Sequence, residues 1–315
     1  MGHPVVSHWV IAGASGVVGR HLRQALAALG HDVTIFSRSG LRSTEQNERV
    51  VRWNPQENAE GKNGGLKPLR DALEGTDVLV NLAGSSLADG RLGQAHRERV
   101  LESRLKATQC LVAAYLACQA PPPRWLQASA VGYYGDCDQE TVTEASPAGT
   151  MFLSEVCERW EAAAEPARDH GASMTFLRLG LVLAPDAPAF QKLLGPIKMG
   201  AGGRLGSGDQ LWAWLSALDA SRAMIFLADH PIEGPVNLTA PTPCAQIDLS
   251  RALAKQLGRP CFLPAPAWGL RLVTGGVADD LLLPSCGALP TRLLDGGFTF
   301  EHPDLASVIP WLLPN

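Results

Sequence analysis

The amino-acid sequence predicts an α/β fold in which helices cover both faces of a doubly wound parallel sheet. Residues 8–13 and 76–84 form short, nearly continuous apolar runs, which are typical of strands buried on both faces. Between such runs lie amphipathic stretches with the apolar spacing of helices. This alternation indicates repeated βαβ units.

The remaining elements follow in order along the chain. A helix over 17–30 leads to a second strand over 31–38. A long helix is predicted over 92–118, because apolar residues such as Leu101 and Leu105 are spaced to share one face. Three prolines end that connection. After them we predict a strand over 124–129, a helix over 152–170 and a strand over 173–183.

The composition of the sequence changes after Leu183. Residues 194–210 are rich in glycine, which predicts a smaller mixed portion of helices and short strands over the carboxyl edge of the sheet. Such a portion would close a substrate cleft. We therefore predict one domain over residues 1–183 and a smaller C-terminal portion over 184–315, with segments within 212–240 returning to the main sheet.

Composition excludes several classes of protein. The 315 residues carry 27 Lys and Arg against 31 Asp and Glu, a net charge of −4, so no basic excess exists to bind a nucleic-acid backbone. The seven cysteines are an odd number without a CxxC pair, and the eight histidines lack paired spacing. The longest uncharged run near the middle of the chain, 107–123, ends in prolines. We expect a cytoplasmic protein with reduced thiols, without a membrane span, metal site or nucleic-acid partner.

A glycine-rich turn follows the first predicted strand and opens the first helix. Gly13, Gly16 and Gly19 are spaced as GxxGxxG. Glycines at such positions allow a tight turn, close approach of backbone to a pyrophosphate and close packing of helix on strand. A turn with a structural role alone is the alternative. The residues predicted to contact a dinucleotide here are Gly13, Ala14, Ser15, Gly16, Val17, Val18 and Gly19.

The end of the second strand indicates which dinucleotide the protein binds. Folds that bind NAD place a carboxylate there for the ribose 2′-hydroxyl, whereas those that bind NADP bring an arginine near. This strand ends with Ser37 and Arg38 and lacks an acid. We predict that Arg38 and Ser37 bind the 2′-phosphate of NADP(H); an ordinary surface arginine at a strand end is the alternative.

With the glycine turn, the segments 77–84 (DVLVNLAG) and 129–135 (SAVGYYG) resemble the extended, epimerase-like branch of the short-chain dehydrogenase/reductase superfamily. Within that branch the chain is similar to the atypical nucleoside-diphosphate-sugar epimerase group, which has an epimerase-associated C-terminal domain. Further matching segments run in order across nearly the whole chain, namely 102–104 with Thr108, 158–164, 177–183, 202–210, 234–241 and 293–300.

The resemblance implies a Rossmann-like sheet of seven strands that binds NADP(H), and a small-molecule substrate such as a nucleotide sugar. It further implies that Leu82, Ala83 and Gly84 lie along the ribose and pyrophosphate of the cofactor. Gly180, Leu181 and Val182 would lie near the nicotinamide. Buried strand ends and turns are the alternative reading of both segments.

The catalytic pair of the superfamily is missing from this sequence. Its epimerases use a tyrosine and a lysine four residues later, and none of the three tyrosines here has that lysine. Alignment of the helix on Glu161 puts Leu153 and Cys157 in those two positions. Neither side chain does the same proton chemistry, and a cysteine on an apolar helix face is usually inert.

Two hydroxyl groups remain as catalytic candidates. Ser129 is predicted to face the nicotinamide, with a strand-end hydroxyl bonded to backbone as the alternative. Tyr134 is predicted to replace the missing phenol, with ordinary packing as the alternative. Weaker candidates are Arg204 and Gln210 as substrate-facing groups, and Asp219 as a helix cap rather than a catalyst, with Ser216 where the family has a histidine.

The sequence therefore supports two candidate functions. The first is an NADP(H)-dependent oxidoreductase or isomerase of the epimerase/dehydratase type, acting on a small molecule. The second is a catalytically silent NADP(H)-binding regulatory or sensor protein. The missing Tyr/Lys pair favours the second, and the cofactor turn is compatible with both.

Overall fold

A computed structural model describes residues 7–38, 47–87 and 93–314. Its centre is a seven-stranded parallel sheet in the order β3-β2-β1-β4-β5-β6-β7. The order reverses between β1 and β4, the switch point at which such sheets bind ligands. The predicted α/β, Rossmann-like fold is confirmed. The strands are β1 (His8–Ala12), β2 (Asp32–Ser37), β3 (Glu48–Arg52), β4 (Val78–Asn81), β5 (Arg124–Ala130), β6 (Ser173–Leu179) and β7 (Gly234–Leu238).

Helices cover both faces of this sheet, and two apolar cores lie between the layers. Along β1, Val10 and Ala12 face one core, whereas Trp9 and Ile11 face the other. This period of two is that of a strand buried on both sides. The helices are α1 (Val17–Ala28), α2 (Pro55–Ala59), α3 (Lys67–Leu73), α4 (Gln94–Leu116), α5 (Phe152–Ala162), α6 (Glu165–Asp169), α7 (Pro188–Lys198), α8 (Ala217–Asp229), α9 (Gln246–Gln256), α10 (Ala267–Thr274), α11 (Thr291–Asp295) and α12 (Leu305–Leu312).

Each core combines one face of the sheet with a different set of helices. On one side α1 and α8 pack together through residues such as Leu22 and Met224. On the other side α3, α4 and α6 cover the sheet, with Leu69 and Leu111 fully buried. A third core holds α7, α9 and α12 together in the C-terminal portion. The sheet is therefore buried on both faces between two of these cores.

Two predicted elements divide in the structure, and the first of them, the helix predicted over 152–170, forms α5 and α6 separately. The strand predicted over 173–183 divides at Gly180, and its second part, Leu181–Leu183, pairs with Trp214–Ser216 instead of the main sheet. A Cβ atom at Gly180 would stand 2.6 Å from the carbonyl oxygen of Ala213, so only glycine allows this approach. Residues 54–65 contain α2 and a 3₁₀ turn at Lys62–Gly64.

Further short elements complete the fold. Thr141–Val142 pairs with Gly287–Ala288, and Leu211–Trp212 pairs with Cys244–Ala245. Val131–Tyr134 forms a 3₁₀ turn directly after β5. A π-helical turn lies at Ala278–Leu282.

Within the described ranges, no helix is both long enough and apolar enough to cross a bilayer. In the same residues, no group of three or more His, Cys, Asp and Glu side chains is placed to hold a metal ion.

A buried ion pair joins α1 to the edge strand β3. The guanidinium of Arg23 donates two hydrogen bonds of 2.7 Å to the carboxylate of Glu48, whose side chain is 1% exposed. Glu48→Ala would remove both of these hydrogen bonds from a buried guanidinium, so we expect the free energy of unfolding to fall by about 3–5 kcal/mol. Urea unfolding measures this change.

Glu60→Ala is the matched control, because the Glu60 carboxylate pairs with Lys62 at the protein surface. We expect no measurable change in its unfolding curve. Equal losses of unfolding free energy in Glu48→Ala and Glu60→Ala would show that burial of the Arg23–Glu48 pair adds nothing to stability.

Candidate functional site

The turn between β1 and α1 is held by a close approach to the end of β4. Gly13 has φ of +85°, and a Cβ atom there would stand 2.6 Å from the backbone carbonyl of Leu82. Gly19 is equally crowded, because a Cβ atom added there would stand 2.6 Å from the carbonyl oxygen of Gly13. These two glycines are therefore required by the packing of the protein itself.

Gly16 differs from its two neighbours in the motif. It precedes α1 in an extended conformation, and a Cβ atom there would meet nothing closer than 3.5 Å. The first N–H groups of α1 receive no side-chain cap from Gly16, and Ser15 and Gly16 are exposed. A helix N-terminus of this kind binds anions. The protein has room for a side chain at Gly16, so its glycine suits close approach by a ligand.

Cationic side chains stand at the end of β2. Ser37 is buried, and Arg38 is exposed directly after it. Arg52, also exposed, ends β3 in register with Ser37. The sequence prediction missed Arg52 because three of the five residues of β3 are charged, so the segment does not look like a buried strand. Two guanidinium groups therefore border the place where a 2′-phosphate is expected.

The other predicted cofactor residues lie at the same carboxyl edge of the sheet. Leu82, Ala83 and Gly84 follow β4, and the Ala83 N–H donates to the side-chain oxygen of Asn81 at 3.1 Å. Behind Gly84, Arg104 donates to the carbonyl of Ser85 at 3.0 Å. Gly180, Leu181 and Val182 follow β6 and are half-buried.

Ser129 lies at the end of β5 with its hydroxyl directed at α5. Its Oγ donates a hydrogen bond of 2.6 Å to Oε1 of Glu161, and the residue is only 2% exposed. The alternative of a hydroxyl bonded to backbone does not describe this contact, because the acceptor is a carboxylate. The sequence alone does not indicate that Glu161 is the partner of Ser129, because the two residues are 32 positions apart.

Arg178 of β6 connects the two predicted catalytic hydroxyls. Its guanidinium donates two hydrogen bonds of 3.0 Å to Glu161 and one of 3.1 Å to the phenol oxygen of Tyr134. It also lies 3.4 Å from the ring centre of Tyr133. Burial opposes the charge of Arg178, but its hydrogen bonds to the Glu161 carboxylate and the attraction to that charge outweigh burial and raise the pKa of the guanidinium.

Tyr134 donates its phenol hydrogen to Oδ1 of Asn237 in β7 at 2.7 Å. Burial raises the pKa of Tyr134 to about 12, although the hydrogen bond from Arg178 lowers it. A phenol with this pKa stays protonated at neutral pH and is a poor base. The hydrogen bond to Asn237 links Tyr134 to β7.

The positions of the missing catalytic pair are occupied by inert groups. Leu153 is buried, and burial raises the pKa of the Cys157 thiol to about 11. The Cys157 thiol donates to the carbonyl of Ala130. These contacts agree with a packing role for Cys157.

The weaker candidates take part in structural contacts. Ser216, rather than Asp219, caps α8, since its Oγ accepts the Asp219 N–H at 3.0 Å. The Asp219 carboxylate accepts the backbone N–H of His302, whose ring contacts Ser216. Gln210 is buried and donates to the Leu205 carbonyl at 3.0 Å, so it supports the glycine-rich turn, whereas Arg204 is exposed.

Comparison with known proteins shows the family to which the chain belongs. Residues 9–239 match the model of the NAD dependent epimerase/dehydratase family, and 265–312 match a domain of unknown function, DUF1731. The chain is 36% identical over 293 residues to the epimerase family protein Mb2239 of Mycobacterium bovis, covering 93% of each chain. The protein described here therefore belongs to the NAD dependent epimerase/dehydratase family, and the predicted resemblance is confirmed.

Solved structures extend the comparison. The human epimerase family protein SDR39U1 (isoform 2), crystallised with NADPH, is 27% identical with a TM-score of 0.84, covering 98% of this chain and 99% of that one. The UDP-glucose 4-epimerase of Thermus thermophilus, in complex with NAD, has a TM-score of 0.76 at 15% identity, covering 97% of each chain. The likeness to the Thermus thermophilus enzyme shows a shared fold alone.

The raised pKa of Tyr134 makes folding stability depend on alkaline pH. Because the folded state favours the neutral phenol, the stabilisation is complete below the ordinary pKa of 10 and is lost as pH rises toward about 12. We expect the stability of the wild type to fall more steeply across this range than that of Tyr134→Phe. Urea unfolding at several pH values measures both slopes, and parallel slopes would contradict the assignment.

Proposed function

We propose that this protein binds NADP(H) at the β1–α1 turn. The observation that carries the proposal is Gly16, where the fold leaves room for a side chain in front of an uncapped helix N-terminus. The N–H groups of α1 suit the pyrophosphate, and Arg38 suits the 2′-phosphate with Ser37 and Arg52 beside it. NADPH in the crystals of human SDR39U1 supports the same choice of cofactor.

The remaining predicted contacts complete the proposed site. Ala14, Ser15, Val17 and Val18 form the turn around Gly16, between the glycines at 13 and 19. The segment at 82–84 would follow the ribose and pyrophosphate, and that at 180–182 would border the nicotinamide. All of these residues come after the carboxyl ends of parallel strands or in the first turn of α1, where ligands of such sheets bind.

We further propose that the bound cofactor serves an oxidoreductase or isomerase reaction on a small molecule. NADP(H), when bound, supplies or accepts a hydride. A substrate hydroxyl beside Ser129 could donate its hydrogen to Oγ, while the Ser129 proton passes to Glu161 along the 2.6 Å hydrogen bond. Arg178 holds the Glu161 carboxylate in place for this transfer.

The class of substrate is proposed from the fold. The likeness to a UDP-glucose 4-epimerase supports a nucleotide sugar, and the C-terminal portion would enclose it above the carboxyl edge.

A catalytically silent NADP(H)-binding protein is the second candidate. One specific observation favours it: the two residues that replace the catalytic pair, Leu153 and Cys157, are buried and cannot exchange protons at neutral pH. Such a protein would act as a regulator or sensor, with cofactor occupancy as its signal.

Cofactor choice tests the binding proposal. In Arg38→Ala we expect NADPH affinity to fall by about 10- to 100-fold, because a charge-assisted hydrogen bond contributes about 1.5–3 kcal/mol. NADH affinity should be unchanged. Fluorescence titration of both nucleotides measures the constants.

Arg49→Ala is the matched control, since Arg49 is an exposed arginine near the opposite end of β3. It should leave both affinities unaltered. A wild-type protein that binds NADH as tightly as NADPH, or an Arg38→Ala variant that keeps its preference, would contradict the role of Arg38.

Turnover separates the two candidate functions. Absorbance at 340 nm follows NADPH oxidation against panels of carbonyl compounds and nucleotide sugars. With an active substrate, Ser129→Ala should lower kcat by about 10²- to 10⁴-fold, as expected for lost proton transfer. NADPH affinity should stay the same.

Ser154→Ala is the control, because Ser154 also has a buried hydroxyl, which donates to the Gly132 carbonyl. It should retain turnover. Tight NADPH binding without turnover across the panels would support the silent protein, and an unchanged kcat in Ser129→Ala would remove Ser129 from the mechanism.

A further inference from the structure

Two cysteines from distant parts of the chain meet beside the Val131–Tyr134 turn. Cys137 lies just after that turn, and Cys286 directly precedes the short strand Gly287–Ala288. Both thiols are free and only partly buried, and both side chains pack against the small apolar cluster around Tyr134. This thiol pair lies outside the network of Ser129 and Glu161.

Backbone hydrogen bonds hold the two segments side by side. The N–H of Cys137 donates to the carbonyl of Ser285 at 2.7 Å, and the N–H of Ser285 donates to the Asp136 carboxylate at 3.0 Å. The N–H of Cys286 donates to the carbonyl of Leu211 at 2.8 Å. Two cysteines can be joined only where the backbone already brings them together. These hydrogen bonds keep the segments adjacent in the reduced protein.

The two thiols are unequal in reactivity. The hydrogen bond from Cys286 lowers the pKa of Cys137, against the opposing effects of burial and of the nearby Asp136, Glu140 and Asp138 carboxylates. The same interaction, with burial, raises the pKa of Cys286. Cys137 is therefore the thiol that ionises first, and a thiolate is the attacking form in disulfide exchange.

We propose that Cys137 and Cys286 form a redox-active dithiol, which a small-molecule disulfide such as glutathione disulfide oxidises to an intramolecular disulfide. The bond would join the segment after β5 to the C-terminal segment within residues 265–312, which matches the domain of unknown function. It is a modification site at the border of the candidate active site, and it does not depend on the proposed reaction.

The exchange balances in two steps. The Cys137 thiolate attacks one sulfur of glutathione disulfide, which forms a mixed disulfide and releases one glutathione. Cys286 then loses its proton and attacks the Cys137 sulfur, which forms the protein disulfide and releases the second glutathione. Two electrons pass from the cysteines to the oxidant, and the two cysteine protons end on the two glutathione thiols.

The experiment treats the full-length protein with glutathione disulfide at neutral pH and maps its disulfides by mass spectrometry without reduction. We expect one intramolecular link, between Cys137 and Cys286, which dithiothreitol reverses. In Cys286→Ser, glutathione should remain attached to Cys137, because the resolving thiol is gone. In Cys137→Ser, Cys286 should stay unmodified.

Cys261→Ser is the matched control, because Cys261 is another partly buried free thiol, and it should still form the link. Cys137 of the untreated protein should also react with iodoacetamide about tenfold or more faster than Cys261, whose pKa burial raises. A link to another cysteine, glutathione trapped on Cys286, or equal alkylation rates would overturn the proposal.

Discussion

The buried ion pair between Glu161 and Arg178 is the interaction on which the candidate active site depends. A guanidinium that is 4% exposed must have a partner, because an unpaired charge in such a place is strongly destabilising. This pair joins α5 to β6, and Ser129 on β5 and Tyr134 in the following turn are bound to it. Asn237 extends the connection to β7. A set of strand ends thereby becomes one connected polar site.

Much of the fold could be predicted because its signals are local. The apolar runs of β1 and β4 and the glycine spacing of the first turn are each contained in a few consecutive residues. The edge strand β3 was missed because three of its five residues are charged, so it lacks the apolar character of a central strand. The division of β6 depends on the distant Ala213 carbonyl, which nothing near Gly180 in the sequence indicates.

The candidate site, like the fold, could be predicted from the sequence only where its signals are local. The phosphate turn follows from local spacing, and the missing Tyr/Lys pair is visible by counting residues. The partners of Ser129 and Tyr134 could not be predicted, because Glu161 and Arg178 meet them only after α5 and β6 pack beside β5. Arg52 reaches the cofactor edge by strand register with Ser37, a relation that exists only once the sheet has formed.

The division at Gly180 also limits how the molecule can move. The Gly180 N–H is bonded to the Leu238 carbonyl and the Leu181 N–H to the Ala213 carbonyl, so the chain leaves the main sheet while it is held on both sides. A joint of this kind cannot act as a hinge unless those backbone hydrogen bonds break. Any motion of the C-terminal portion as one body about this joint would therefore have to break the hydrogen bonds at Gly180 and Leu181.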